Sequence, residues 1–472
     1  MSRIAAAVVK RAILGALLVT AAVPIEGAGA QVTMAHTTSL PPLPATALRF
    51  DPAAVPDPQR VLAVLNHTAA AQIDALRDQP LYIPRRAFGA VSVNWIAATF
   101  LIGLGRLARV SDTSHATGYS RDVAEHFNFG LLGAWSPHNM MDADNVAIGE
   151  LYEELYARSG EAGEIAPLRQ RLDYQLALLK TPPPPGKLVW WWCDALFMAP
   201  PVFARMSAQT GDPRYLRAMN AQWWHVYDRL WSPEHKLFFR DERFKTLKTR
   251  GGKPLFWSRG NGWVAAGIAR LLDTMPAGHP SRPRYVKVFR EMMDSVSRVQ
   301  RKDGLWTASL LDPTDPAGPE TTGAALFTYA MAWGINHDVL DRRTYLPRVE
   351  RGWAGLAAKI QPNGLLGYAQ RAGDQPVPSA PDDHALYGTG AFLLAGVEVM
   401  ALGRPATPGP SPEPRRDPRG PVRLPIALRP RPMNGTPAQL ADWTRAQAER
   451  QAMIDLALDP PANDVGGSPP IP

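Results

Sequence analysis

The sequence predicts an all-α fold of about twelve helices joined as antiparallel hairpins, and three observations carry that prediction. Between residues 57 and 401 one amphipathic helical pattern follows another, apolar positions recurring at three- and four-residue intervals. The apolar/polar alternation that marks strands is scarce. The helical segments also come in two kinds. Those starting at Asp194, Asn261, Thr322 and Gly388 are rich in Ala, Gly, Leu and Phe all round. Those near Glu164, Pro213 and Pro283 carry Arg, Lys, Gln and Glu on one face. Inner helices buried on every side and outer helices wetted on one side produce these two patterns. Six hairpins closed into a toroid and an open helical array fit the periodicity almost equally.

In chain order, residues 1–30 read as a secretory signal. Arg3, Lys10 and Arg11 make a basic start, and Ala12 to Ile25 is an apolar run too short for a comfortable membrane span. Ala28-Gly29-Ala30 offers small residues for cleavage. Export to the periplasm or beyond is expected, with no membrane attachment once the signal is removed. Residues 31–55, rich in Thr and Pro, read as a flexible leader. Helices are expected near 57–76, 94–110, 119–132, 144–159, 164–180, 194–210, 213–230, 260–274, 283–301, 320–336, 343–358 and 385–401. Breakers separate them: Pro182 to Gly186, Gly211-Asp212-Pro213, Gly251-Gly252, Pro276 to Pro283 and Pro313 to Pro319. Short extended pieces are expected at Leu237–Arg240, Leu305–Ser309 and Leu365–Ala369. A catalytic domain is therefore placed at 56–402. The Pro/Arg-rich tail 403–472 cannot build a core and offers one helix, at 438–456.

Composition narrows the function. A hydrophobic fraction of 46% and a charged fraction of 20% belong to a soluble globular protein. The net charge of +8 suits an acidic partner, but the basic residues are dispersed. No basic run, Gly-rich phosphate loop or finger spacing points to nucleic acid. Cys193 is the single cysteine, so an intrachain disulfide is impossible and zinc sites built on cysteine pairs are excluded. It reads as a small buried neighbour of the site rather than a nucleophile. The fourteen Trp lean toward sugar binding, because indole faces pack against the C–H faces of sugar rings.

Four patches carry chemistry, each where a loop enters a helix. Trp190-Trp191-Trp192-Cys193-Asp194 sets a carboxylate behind three indoles, an environment that raises its pKa toward that of a proton donor. The plainer alternative is that Asp194 caps the helix that follows. Met141-Asp142-Ala143-Asp144-Asn145 precedes another helix, with Asp144 or Asn145 as the candidate cap. Phe256-Trp257-Ser258-Arg259-Gly260-Asn261-Gly262-Trp263 places an arginine fork between two indoles, with an Asn cap and a tight turn as the alternative. Glu320-Thr321-Thr322-Gly323 and Asp383-His384 through Gly390 form the fourth, where capping and a structural His384 are the plainer readings. Two carboxylates (Asp144, Asp194), an Arg and an indole cage suggest glycosidic-bond cleavage on an acidic sugar, with Arg259 pairing a uronate carboxylate.

Taken in order, these residues resemble a known family. Ala143-Asp144-Asn145…Gly149, Trp192-Cys193-Asp194 with Met198-Ala199-Pro200, Trp257 through Trp263, Glu320 through Ala325 and Tyr387 through Ala395 look like the unsaturated rhamnogalacturonyl hydrolases of glycoside hydrolase family 105, related to the unsaturated glucuronyl hydrolases of family 88. The resemblance covers roughly 57–401 and implies an (α/α)6 barrel. It implies hydration of the C4=C5 bond of a 4,5-unsaturated uronic acid at the non-reducing end of lyase-generated, pectin-type oligosaccharides. Asp194 would be the acid/base and Asp144 the second aspartate. Trp192, Met198, Trp257, Arg259, Trp263 and Trp95 would line the sugar site. The substrate is the only partner implied, and no metal or organic cofactor is. This chain has Asp144-Asn145-Val146 where many members carry two aspartates and then His, and Ile96-Ala97-Ala98 after Trp95 where a polar, Gly-containing stretch is expected. Two other readings remain at this point: ordinary two-carboxylate glycosidase chemistry on saturated acidic glycans, and non-catalytic glycan binding.

Overall fold

The structure is a computed structural model that describes residues 43–78, 93–111, 114–132, 140–179 and 189–403, together with 441 and 445. The signal at 1–30, the first part of the leader, the breaker Pro182 to Gly186 and nearly all of the tail lie outside the described residues. The expected helix at 438–456 is described only at Ala441 and Arg445, both helical.

The described chain is helical and its helices pair as expected. We label them α1 Pro58–Asp78, α2 Trp95–Leu107, α3 Ser114–His126, α4 Gly149–Ser159, α5 Ala166–Leu178, α6 Ala195–Met198, α7 Pro200–Thr210 and α8 Pro213–Leu230. After the short antiparallel hairpin β1 Trp231–Ser232 and β2 Leu237–Phe238 come α9 Ser258–Thr274, α10 Arg282–Arg298, α11 Thr321–Asn336, α12 Arg342–Ala357 and α13 Leu386–Ala401. Helices α2, α4, α6/α7, α9, α11 and α13 contact one another in that order, and α13 contacts α2. The ring is thus closed, which decides between a toroid and an open array. Each inner helix follows its outer partner in the chain.

Composition explains which helices line the ring. In α11 every residue from Thr321 to Ile335 is buried, and in α9 every residue from Ser258 to Leu272. The outer α10 buries only one face, through Tyr285, Val288, Phe289, Met292, Met293 and Val296. Where α2 crosses α13, a Cβ on Gly103 would lie 2.6 Å from the carbonyl oxygen of Gly390. Two glycines therefore let two inner backbones touch at the closure of the ring.

Four expectations change. The helix read over 194–210 is split, because Pro200 has no N–H to give and instead starts α7 at its first position. The helix read over 144–159 opens as a 3-10 turn at Asp144–Val146 and becomes α-helical at Gly149. The helix read over 119–132 runs Ser114–His126 and ends where Asn128 and Phe129 take positive φ, the Phe129 ring packing against Tyr152. The leader is anchored from residue 43: Phe50 packs on Trp353, and Arg60 donates to the carbonyls of Thr46, Ala47 and Arg49.

Charge is also buried in the ring. Arg270 on α9 is paired with Glu150 on α4 and lies 3.9 Å over the Phe197 ring. Arg106 on α2 reaches Asp273 at 3.1 Å, and Arg205 on α7 reaches Glu154 at 3.2 Å. These arginines hold the Glu150 carboxyl down at about 2 despite its burial. Such a network adds little net stability over an apolar plug, but losing one partner leaves a buried charge uncompensated.

Candidate active site

Asp194 sits at the start of α6, yet its side chain caps no helix N–H. Its backbone is fixed from two sides. The Cys193 N–H donates to the Arg240 carbonyl at 2.8 Å, and the Asp194 carbonyl accepts from Phe197. Asp194 is 8% exposed. Its Oδ2 accepts from the Cys193 thiol at 3.4 Å and lies 4.0 Å from Arg240 Nε. Burial pushes this carboxyl above the usual range, against the opposing pull of Arg240, Arg259 and the Cys193 thiol. Burial raises the thiol as well, which leaves it neutral, as a donor and not a nucleophile.

Asp144 belongs to the same electrostatic cluster. Its N–H donates to Asp142 Oδ1 at 2.9 Å, and its own Oδ1 is buried without a hydrogen-bond partner. Burial first, then repulsion from Asp142 and Asp194, lifts Asp144 well above the ordinary carboxylate range, with Arg240 opposing. Both carboxyls are shifted in the direction that favours the protonated acid, Asp144 further than Asp194. That is the direction of shift a proton donor requires.

The segment Trp257 to Trp263 builds this place. Gly260 lets it close: a Cβ there would lie 3.2 Å from Cys193 Sγ and 3.7 Å from Asp194 Oδ2. Asn261 is a clamp and not a cap. Its carboxamide accepts from the Phe238 N–H at 2.8 Å and donates to the Phe238 carbonyl at 3.0 Å. Two residues beyond that clamp stands Arg240. Trp263 packs on Phe197 at 4.5 Å, and half-buried Trp95 lies against Tyr387 at 5.1 Å and Trp263 at 6.3 Å. Trp257 donates from its indole to the Gln370 side chain at 2.9 Å. Glu320 does what the plainer reading gave it, accepting from the N–H groups of Thr322 and Gly323.

Arg259 departs from expectation. It is 1% exposed, and both terminal amino groups are engaged. Nη1 donates to the carbonyls of Gln370 and Arg371 at 2.7 and 3.0 Å and to the Tyr387 hydroxyl at 3.3 Å; Nη2 donates to the Gly373 carbonyl at 3.0 Å. It pins the 370–373 loop and does not present a free fork. Trp190 also leaves the site, packing against Phe203. Trp192 and Met198 are buried, and Trp192 leans on half-exposed Trp191 at 4.9 Å.

The residue that sequence reasoning missed is Arg240. It is 8% exposed, donates through Nη1 to Asp241 at 2.7 Å, and lies 4.9 Å over the Trp191 ring. The extended piece Leu237–Arg240 was legible, and a charged pair closing it was the available signal.

The described residues hold no group of three or more His, Cys, Asp or Glu suited to a metal ion, and no helix among them is long and apolar enough to cross a membrane. Comparison with known proteins matches residues 79–402 to Glycosyl Hydrolase Family 88. The chain is 36% identical over 339 residues to an unsaturated 3S-rhamnoglycuronyl hydrolase of Alteromonas sp. (strain LOR), spanning 68% of this chain and 81% of that protein. It is 35% identical over 356 residues to one from Formosa agariphila, spanning 72% and 92%. Its fold is similar to a solved glycosyl hydrolase family 88 protein from Bacteroides vulgatus, with a TM-score of 0.66, 28% identity, and coverage of 74% of this chain and all of that one.

Proposed function

The chain belongs to glycosyl hydrolase family 88, and from that premise we propose that it releases a 4,5-unsaturated uronic acid from the non-reducing end of an oligosaccharide with Asp194 as the proton donor. The observation that carries the reading is Asp194 itself, a buried carboxyl that caps no helix, held by the Cys193 thiol and 4.0 Å from Arg240 Nε, with half-buried Asp144 in the same electrostatic cluster. An enol-ether alkene needs one proton delivered to carbon, which a carboxyl with a raised pKa supplies.

Asp194 gives its proton to C4, and the C4=C5 electron pair forms the new C–H bond. The cation at C5 is stabilised by the ring oxygen. Water adds at C5 and loses a proton to the Asp194 carboxylate, restoring the acid. The resulting hemiketal opens, and the aglycone leaves when C1 collapses to the aldehyde. Asp144 orients sugar hydroxyls and poises Asp194. Trp95, Trp192, Met198, Trp257 and Trp263 shape the sugar site around the acid, and Arg259 holds the 370–373 loop beside it. The names of the two relatives favour a glycuronyl–rhamnose linkage as the bond opened. We further propose that residues 1–30 direct export and that 56–402 is the catalytic domain.

The conjugated alkene absorbs ultraviolet light and its hydration abolishes the band. A panel of lyase-generated oligosaccharides, followed by bleaching, tests the reading. Loss of the band on unsaturated rhamnoglycuronyl substrates is expected. Turnover of saturated uronides, with no bleaching of any unsaturated one, would contradict it.

A further inference from the structure

We propose that Arg240 receives the substrate's carboxylate and is the residue that confines the enzyme to acidic non-reducing ends; this deepens the reaction proposed above and rests on it. C4, which takes the proton, and the carboxylate carbon are both bonded to C5. The protein groups that meet them must therefore stand within a few ångströms of each other. Two arginines pull on Asp194, and Arg240 reaches it, with Nε 4.0 Å from Oδ2.

Their hydrogen bonds separate them. A carboxylate docks across two N–H groups on one edge of a guanidinium. Arg259 has both terminal amino groups taken, Nη1 by the carbonyls of residues 370 and 371 and Nη2 by that of residue 373, and only its Nε lacks a partner, so no edge offers two free N–H groups. Arg240 spends only Nη1, on Asp241. Its Nε is buried without a hydrogen-bond partner, 4.0 Å from Asp194 Oδ2. Among the described residues no group accepts from its Nε–Nη2 edge. A buried donor with no acceptor is costly, and an arriving carboxylate satisfies it.

The edge is also held in place. Asp241 pulls on one side, and the Trp191 ring supports the guanidinium face. The Asn261 clamp on Phe238 and the Cys193 N–H on the Arg240 carbonyl fix the backbone on both sides of the residue. A cation so placed recognises charge without rearranging. It disfavours a neutral ester, whose single carbonyl acceptor leaves the buried guanidinium charge uncompensated.

The test compares an unsaturated uronyl disaccharide with its C6 methyl ester, both of which keep the alkene, in wild type, Arg240→Met and Arg240→Lys. Wild type should favour the acid by about a hundredfold or more in kcat/KM. In Arg240→Met that preference should fall below about fivefold. Arg240→Lys keeps a charge against Asp241 and should fold even where Met does not; it should hold an intermediate preference with a raised KM for the acid. If Arg240 only positions Asp194, both variants lose rate equally on acid and ester and the preference stays at its wild-type value, which overturns the proposal. A wild type that bleaches neither substrate overturns the reaction itself, a result distinct from an unchanged preference.

Discussion

The carboxamide of Asn261 grips Phe238 at both of its backbone groups, at 2.8 Å to the N–H and 3.0 Å to the carbonyl, and so couples α9 to the strand that delivers Arg240. Its Nδ2 also donates to the Trp257 carbonyl at 3.0 Å. Asn261→Ala leaves a buried N–H and C=O without partners, and should lower stability by about 2–3 kcal/mol. Because Arg240 is then less well held, KM for the acid substrate should rise as well. Thermal unfolding and steady-state kinetics check this; wild-type values in both would show that the clamp is idle.

Gly260 tests how closely α9 must approach the acid. A Cβ there meets Cys193 Sγ and the Trp257 ring, both at 3.2 Å, and neither lies at the far end of a flexible side chain. Gly260→Ala should therefore shift Cys193 and Asp194 together and lower kcat by about tenfold while KM changes little, because a displaced proton donor weakens the transition state more than binding. An unchanged kcat would mean the site tolerates that displacement.

The helices were legible because apolar spacing alone separates inner from outer faces, and α9 and α11 announced their burial by having no polar face. The Pro200 break is equally visible, since a pyrrolidine nitrogen has no N–H to give. The site was legible as residue types but not as partnerships. Arg259 between two indoles looks like a fork for substrate. What engages it is a set of carbonyls 111 to 114 residues further on, which local pattern does not encode. Arg240 reaches Asp194 only because the Cys193 N–H pairs with its carbonyl across the fold.

Function is expected to cost stability at the two aspartates. Their folded pKa values are raised, so the folded protein keeps protons that the unfolded chain releases. Stability therefore falls as pH rises from the ordinary carboxylate range through the folded pKa values. Asp144→Asn removes that titration. It should raise Tm by about 2 °C near pH 8 and lose the gain near pH 4, while activity drops. Calorimetry at the two pH values decides; a lowered Tm at both would contradict the account.

The pH–rate profile follows from the same signs. The proposed reaction starts from a protonated Asp194, so kcat/KM should fall as pH rises through its pKa, with the alkaline limb above the range of an exposed aspartate. Arg240 opposes the upward push of burial. In Arg240→Met the limb should move to higher pH. A limb that stays in place or moves down would show that the two groups are not coupled.

In the ring, Arg270→Met should cost up to about 3 kcal/mol, because Glu150 loses its hydrogen-bonded arginine and keeps only the more distant Arg106 and Arg205 at 3.9 and 4.0 Å. Replacing both residues with apolar side chains should recover much of that loss. Denaturant unfolding of the single and double variants gives the answer, and additive losses would contradict the pairing.

The most direct measurement follows one proton. Turnover of an unsaturated uronyl oligosaccharide in D2O, read by nuclear magnetic resonance, should place a single deuterium at C4 of the released acid, and Asp194→Asn should lose at least about 100-fold in rate while remaining folded. Product without deuterium at C4, or an Asp194→Asn enzyme with undiminished rate, would contradict the account.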